Sequence, residues 1–129
     1  MRTVNKVILI GNITRDPSIK NTESNKKIAL FTIATNRYYK TAEGEQKSES
    51  EFTNCITWGN LAERCEQFLT KGKLVYAEGR LKTRVIDKED WTKIYKTEVV
   101  VSNIIFLNKK SDFEDNVIDE ADFIEEDKF

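Results

Sequence analysis

A single helix-forming stretch set among strand-forming ones most narrows the folds open to this chain. Residues 60–72 read NLAERCEQFLTKG. Leu61, Cys65, Phe68 and Leu69 fall at i, i+4, i+7 and i+8, which gathers them into one apolar stripe. Asn60 suits the N-cap, Glu63 follows three later to answer it, and Lys71 and Gly72 suit the C-terminal end. The other periodic stretches read as strand. Residues 4–10, VNKVILI, are dense in apolar side chains and read as a strand covered on both faces. Gly11-Asn12 and Arg15-Asp16-Pro17 then break it. Residues 28–35, IALFTIAT, are rich in β-formers. A long polar loop is expected from Asn36 to Ser50, with Gly44 near its middle, and a third strand over 51–58, EFTNCITW. Beyond the helix, 73–86 resume as strand. There Val75, Ala77, Gly79, Leu81, Thr83 and Val85 share one face, and Glu78, Arg80, Lys82 and Arg84 the other. Residues 94–107, IYKTEVVVSNIIFL, form a fifth strand, broken near Ser102-Asn103.

The order β-β-β-α-β-β is the one expected of an all-β OB-fold, a five-stranded Greek-key barrel with one helix between strands 3 and 4. At 129 residues the chain is long enough for one such domain and a remainder. Periodicity ends beyond Lys110, so the expected division is a barrel over 1–110 and a disordered acidic tail over 111–129. Charge divides the same way. Residues 1–111 hold thirteen acids against twenty bases, which leaves the body at +7. Residues 112–129 hold nine acids against Lys128 alone, which leaves the tail at −8. The overall net of −1 hides two opposite objects. A basic body with an acidic tail points to a nucleic-acid or anionic-surface binder.

Other classes fall away. No apolar run approaches the length of about 20 residues that spans a bilayer, and Val7–Ile10 is too short for a signal peptide. The protein is read as cytoplasmic. Cys55 and Cys65 have no histidine or further cysteine to complete a zinc site, so they read as two buried free thiols. Without histidine the commonest general base is missing. Nucleophile-elbow, phosphate-loop and dinucleotide signatures are also missing. The chain is read as a binder and not an enzyme, with no cofactor or metal.

Binding of a single strand needs a positive groove and flat side chains on which bases stack. Phe52 and Trp58 lie six residues apart on one strand, hence on one face. Arg80, Lys82 and Arg84 line one face of the next. Tyr38 and Tyr39 stand with Arg37 and Lys40 at the start of the long loop, one ring on each side. Trp91 lies in the charged turn DKEDWTK. The phase of the third strand stays open at this point. Phe52, Asn54, Ile56 and Trp58 share one side; Thr53, Cys55 and Thr57 share the other; either fits a core.

Longer blocks then point to a family. VNKVILIGNITRDP, FTIATN, ITWGNLAERCEQFLTKGKLVYAEGRLKTR and YKTEVVV make the sequence resemble the bacterial-type single-stranded DNA-binding proteins over about residues 3–107. The resemblance implies stacking aromatics at Tyr39 or its neighbour Tyr38, at Phe52 and at Trp58, and so makes the Phe52/Trp58 side the DNA face. It implies basic contacts at Lys6, Lys71, Lys82 and Arg84, beside the Arg80 of the same stripe. Two positions depart from it. Ile86 stands where well-known members have tryptophan, with Trp91 as a substitute from the hairpin. Asn54 stands where the family has arginine. Both departures predict a weaker or differently routed strand. The resemblance also implies a homo-oligomer, a tetramer of four barrels or a dimer of paired ones, with the N-terminal strand in the contact, nucleoid association, and roles in replication, recombination and repair.

The ending IEEDKF resembles the family's acidic tip. It implies that Phe129 anchors in a pocket on a replication, recombination or repair protein while Glu125, Glu126 and Asp127 meet bases there. Lys128 replaces the usual proline, and residues 108–118 supply little linker, so reach should be short. The rival readings are an RNA-binding OB module, a metal-dependent nuclease and a protein-binding adaptor.

Overall fold

The computed structural model describes residues 2–107. The expected domain boundary at 110/111 and the acidic tail lie outside the described residues. The described chain has six strands and one helix: β1 (Val7–Ile13), β2 (Ser18–Asn21), β3 (Lys27–Lys40), β4 (Gln46–Trp58), α1 (Asn60–Phe68), β5 (Leu74–Asp87) and β6 (Lys93–Leu107). The sheet runs β1-β5-β6-β4-β3-β2, and an additional β1–β3 pairing closes it. Five strands therefore form a ring, and β2 is a short addition along the β3 edge. The helix falls between the third and fourth strands of the ring, as the OB-fold requires.

Closure explains the first departure from the expected elements. β1 begins at Val7 and runs through Gly11-Asn12, which the sequence suggested would break it. A Cβ at Gly11 would lie 2.2 Å from the Ala34 carbonyl oxygen. Glycine here serves backbone approach within a strand. The same strand is covered on one face only. Ile8 is 54% exposed and Ile10 also reaches solvent, so the two-sided burial expected over 4–10 is absent within the single chain.

The long polar loop is a hairpin. β3 continues to Lys40 and β4 starts at Gln46, with unbroken register from Asn36↔Ser50 to Lys40↔Gln46. The turn between them is set locally. Thr41 N–H donates to the Glu45 carbonyl, Gly44 N–H to the Thr41 carbonyl, and Gly44 takes φ 86°. Polar side chains do not forbid a strand; cross-strand pairs such as Ser50 Oγ to Asn36 Oδ1 at 2.6 Å support this one. A second arm, β5–β6, turns at Lys88–Thr92. Thr92 donates both its hydroxyl and its N–H to Asp90, and the hydroxyl bond chiefly holds the Asp90 carboxyl below its usual range. The irregularity expected near Ser102 is a bulge. Pairing steps from Glu78↔Asn103 to Gly79↔Val101, and Ser102 Oγ donates to the Glu78 carbonyl.

The core sits inside the ring and is closed at one end by α1. Ile13, Ile33, Val75, Val99 and Ile104 are fully buried, each contributing about 1.5–3 kcal/mol of apolar burial. From the helix, Ala62 and Cys65 enter this cluster, joined by Leu69 at the C-cap, with Leu61 packed at its margin. Phe68 stays half exposed beside Phe106, with ring centroids 5.9 Å apart, so the buried stripe is shifted from the expected one. The N-cap also differs. Gly59, at φ 63°, holds that position, Asn60 is the first helical residue, and no side chain caps the helix. Thr57 is buried, and its hydroxyl is satisfied by Cys65 Sγ at 3.8 Å.

Candidate nucleic-acid interface

The phase of β4 decides what the barrel shows to solvent. Cys55 and Thr57 point into the core, so Phe52, Asn54, Ile56 and Trp58 point out. Two large aromatic rings on an outer sheet face are unusual unless something covers them. Phe52 is 66% exposed and Trp58 46%. Register extends the outer face to β3. Trp58 pairs with Ile28, Phe52 with Ala34, and Tyr38 with Ser48, with no slip between. Paired residues share a side, so Tyr38 joins Phe52 and Trp58. Phe52 and Trp58 are about 20 Å apart along the strand, and Tyr38 stands about 13 Å beyond the level of Phe52. Tyr39 takes the opposite side of β3, with the Arg37 guanidinium 5.1 Å from its ring centre.

The parallel seam between β4 and β6 carries the face onward. Ile56 pairs with Val100, which pairs with Arg80 of β5. Arg80, Lys82 and Arg84 therefore lie on the same outer surface as Tyr38, Phe52 and Trp58. Sequence spacing could not join them, because the joining strand is the last to be made.

The three bases are not equivalent. Arg84 donates from Nε to Glu98 Oε1 at 2.6 Å and from Nη2 to Glu98 Oε2 at 3.2 Å. Glu98 is buried. Arg80 and Lys82 have no ion-pair partner among the described residues. Arg84 and Glu98 line a cavity of about 210 Å³ with Asn54, Thr32, Lys96 and Arg15. Asn54 accepts a hydrogen bond from the Thr32 hydroxyl at 3.0 Å, which fixes the side chain that stands in place of an arginine. Lys96 was missed in the sequence. Its two-residue spacing from Glu98 on β6, directly across from Arg84, was the available signal.

The remaining candidates lie apart. Lys6 precedes β1 and pairs with Glu78 Oε2 at 3.5 Å. Lys71 lies in the α1–β5 loop, where its N–H donates to Asp16 Oδ1. Trp91 caps the β5–β6 arm at φ 69°, 96% exposed. Ile86 faces Ile94 on the outer side of that arm. Glu125, Glu126, Asp127 and Phe129 lie outside the described residues. No three acidic or metal-ligating side chains come together among the described residues. No helix among them is long and apolar enough to cross a membrane.

A closed ring of five strands stopped by one helix, with an aromatic and basic outer face, defines an OB-fold barrel with an open binding surface. The comparisons name the family. The sequence profile of the Single-strand binding protein family matches residues 4–107. Single-stranded DNA-binding protein 3 of Listeria innocua is 38% identical over 107 residues, covering 83% of this chain and 66% of that protein. Single-stranded DNA-binding protein 1 of Staphylococcus aureus is 40% identical over 108 residues, covering 84% and 68%. Among solved structures, the Plasmodium falciparum SSB complex with ssDNA matches with a TM-score of 0.77 at 30% identity, covering 84% of this chain and 98% of that one. The chain belongs to the single-strand binding protein family. It spans about two thirds of the length of the Listeria and Staphylococcus relatives.

Proposed function

We propose that this protein coats single-stranded DNA without sequence preference during replication, recombination and repair. Bases stack on Tyr38, Phe52 and Trp58, while Arg80 and Lys82 meet phosphates, with Lys6, Lys71 and Trp91 at the margins. The observation that carries this reading is the exposure of three aromatic rings on the one face that also holds the unpaired bases. Stacking is worth about 1–3 kcal/mol per base, a range to which OB-fold binders of this same kind contribute. Nothing in the mechanism needs catalysis or a cofactor. The relatives' names and the DNA-bound Plasmodium neighbour support the same ligand.

Two further parts belong to the proposal. The outer apolar surface of Ile8, Ile10 and Ile105 supports assembly through the β1 side into a homotetramer. The acidic segment recruits replication and repair proteins, with Phe129 entering an apolar pocket and Glu125, Glu126 and Asp127 meeting its basic rim. The working place is the cytoplasm, on the nucleoid.

Tryptophan fluorescence during titration with oligo(dT), matched oligo(rU) and a duplex of equal length, at two salt concentrations, tests the reading. Quenching by oligo(dT) that weakens at high salt supports it. Equal response to duplex, or none, overturns it, and tighter binding of oligo(rU) replaces DNA with RNA as the ligand. Phe129→Ala should leave the titration unchanged while reducing capture of replication proteins.

A further inference from the structure

A buried carboxylate stands in the middle of a face read as binding a polyanion. Glu98 is on β6, between the aromatic strand and the basic one, and its side chain is 6% exposed. Arg84 is 48% exposed and spends two of its three nitrogens on it. We propose that Glu98 is a positioning residue that withdraws Arg84 from phosphate neutralisation and holds its guanidinium as a fixed, charge-balanced plate for uncharged parts of the strand. The inference rests on the single-strand reading and goes further, by dividing the basic stripe into two kinds of contact.

A carboxylate this deeply buried is strongly destabilised if its partner leaves, so the pair persists when a ligand arrives. Two parallel hydrogen bonds fix the plane of the guanidinium as well as its position. From the groove, the pair presents little net charge. Nη1 is the nitrogen left over, and Arg84 lines the cavity shared with Asn54, whose own orientation is set by Thr32. Donors in a fixed plane with balanced charge suit base carbonyls and ring nitrogens, or stacking on a ring face. Lys82 differs. It is directly across from Glu98 in register yet makes no ion pair with it, so it keeps a free ammonium for phosphate.

The distinction is measurable because phosphate neutralisation releases counterions. Each neutralised phosphate on a single strand steepens the dependence of log K on log salt by about 0.7. The experiment is oligo(dT) titration of the full chain across a series of NaCl concentrations. Lys82→Gln should flatten the slope by about 0.7. The double variant Arg84→Gln/Glu98→Gln exchanges a charge-balanced pair for a neutral one without stranding the buried carboxylate, so it should lower affinity by a similar factor at every salt, with the slope unchanged. Glu98→Gln alone keeps a hydrogen-bond acceptor but removes the charge, so it should steepen the slope by about 0.7 and tighten binding at low salt. The double variant flattening the slope as much as Lys82→Gln would overturn the proposal, as would a Glu98→Gln slope equal to wild type. If Glu98→Gln alone does not fold, the comparison of the double variant with Lys82→Gln decides. Absence of wild-type binding at any salt would sink the single-strand reading itself, and this inference with it.

Discussion

Gly11 and Ala34 meet backbone to backbone where the barrel closes. A Cβ on Gly11 would stand 2.2 Å from the Ala34 oxygen and 2.8 Å from Ile33 Cγ2. This is the point where β1, having run along β5, turns to pair with β3 through Asn12↔Ala34. Neither obstacle is the far end of a flexible side chain. Gly11→Ala should therefore lower unfolding free energy by about 1–3 kcal/mol through overpacking. Urea denaturation monitored by circular dichroism checks this, and a wild-type midpoint would mean that the closure is more pliant than its geometry.

The face assignment of the two adjacent tyrosines gives a sharper test. Tyr38 shares the outer surface with Phe52 and Trp58; Tyr39 is turned away beneath Arg37. Tyr38→Ala should weaken oligo(dT) binding by about 1–3 kcal/mol, roughly 5- to 150-fold, as should Phe52→Ala and Trp58→Ala. Tyr39→Ala should cost less. Titration of the four variants ranks them, and a larger loss at Tyr39 would move the stacking path to the other side of the β3–β4 arm.

How far the sequence could be read follows from where its information was local. Strand type was legible in IALFTIAT and EFTNCITW because β-branched and aromatic residues concentrate there. The outward phase of Phe52 and Trp58 was not legible from spacing, since Cys55 and Thr57 could as well have faced water; the family resemblance alone pointed to it, and burial by α1 and β6 decides it. The β3–β4 arm hid behind its polarity, because polar cross-strand pairs carry no apolar period; the β5–β6 arm was legible to within a residue. The union of Trp58's strand with Arg80's stripe was hidden for a different reason. It depends on β6 lying between them, and a parallel pairing leaves no mark in local spacing. Glycine at the helix start displaced the expected Asn60 cap, which a capping pattern alone could not reveal.

Alkaline pH should expose the buried thiols. Burial pushes the Cys55 thiol up to about 12 from its ordinary 9.0. The folded state therefore holds that proton more tightly than the unfolded state. The resulting stability is fully present below pH 9 and is lost as pH rises from about 9 towards 12. Thermal unfolding across this range should show a falling midpoint, and Cys55→Val should flatten the fall. At neutral pH the native thiols should resist alkylation that proceeds readily in denaturant.

The uncovered side of β1 makes a claim about assembly. Ile8→Glu places a charge on an outer surface that is already open in the single chain, so the monomer's fold should tolerate it. If the β1 side is the contact between copies, sedimentation velocity should show the variant dissociated at concentrations where the wild type sediments as an oligomer. Unchanged sedimentation would place the contact elsewhere on the barrel.

The seam between β4 and β6 also has a temporal meaning. Cys55 and Ile56 pair with Val99 and Val100, which leave the ribosome only after the helix and the whole of β5. During synthesis β4 has β3 and α1 to lean on, but its other edge has no neighbour, and Cys55 waits with that edge open until the last strand arrives. A nascent chain of this protein is thus vulnerable for nearly the entire length of its domain, and its barrel forms in one late step, when the ring can at last be joined.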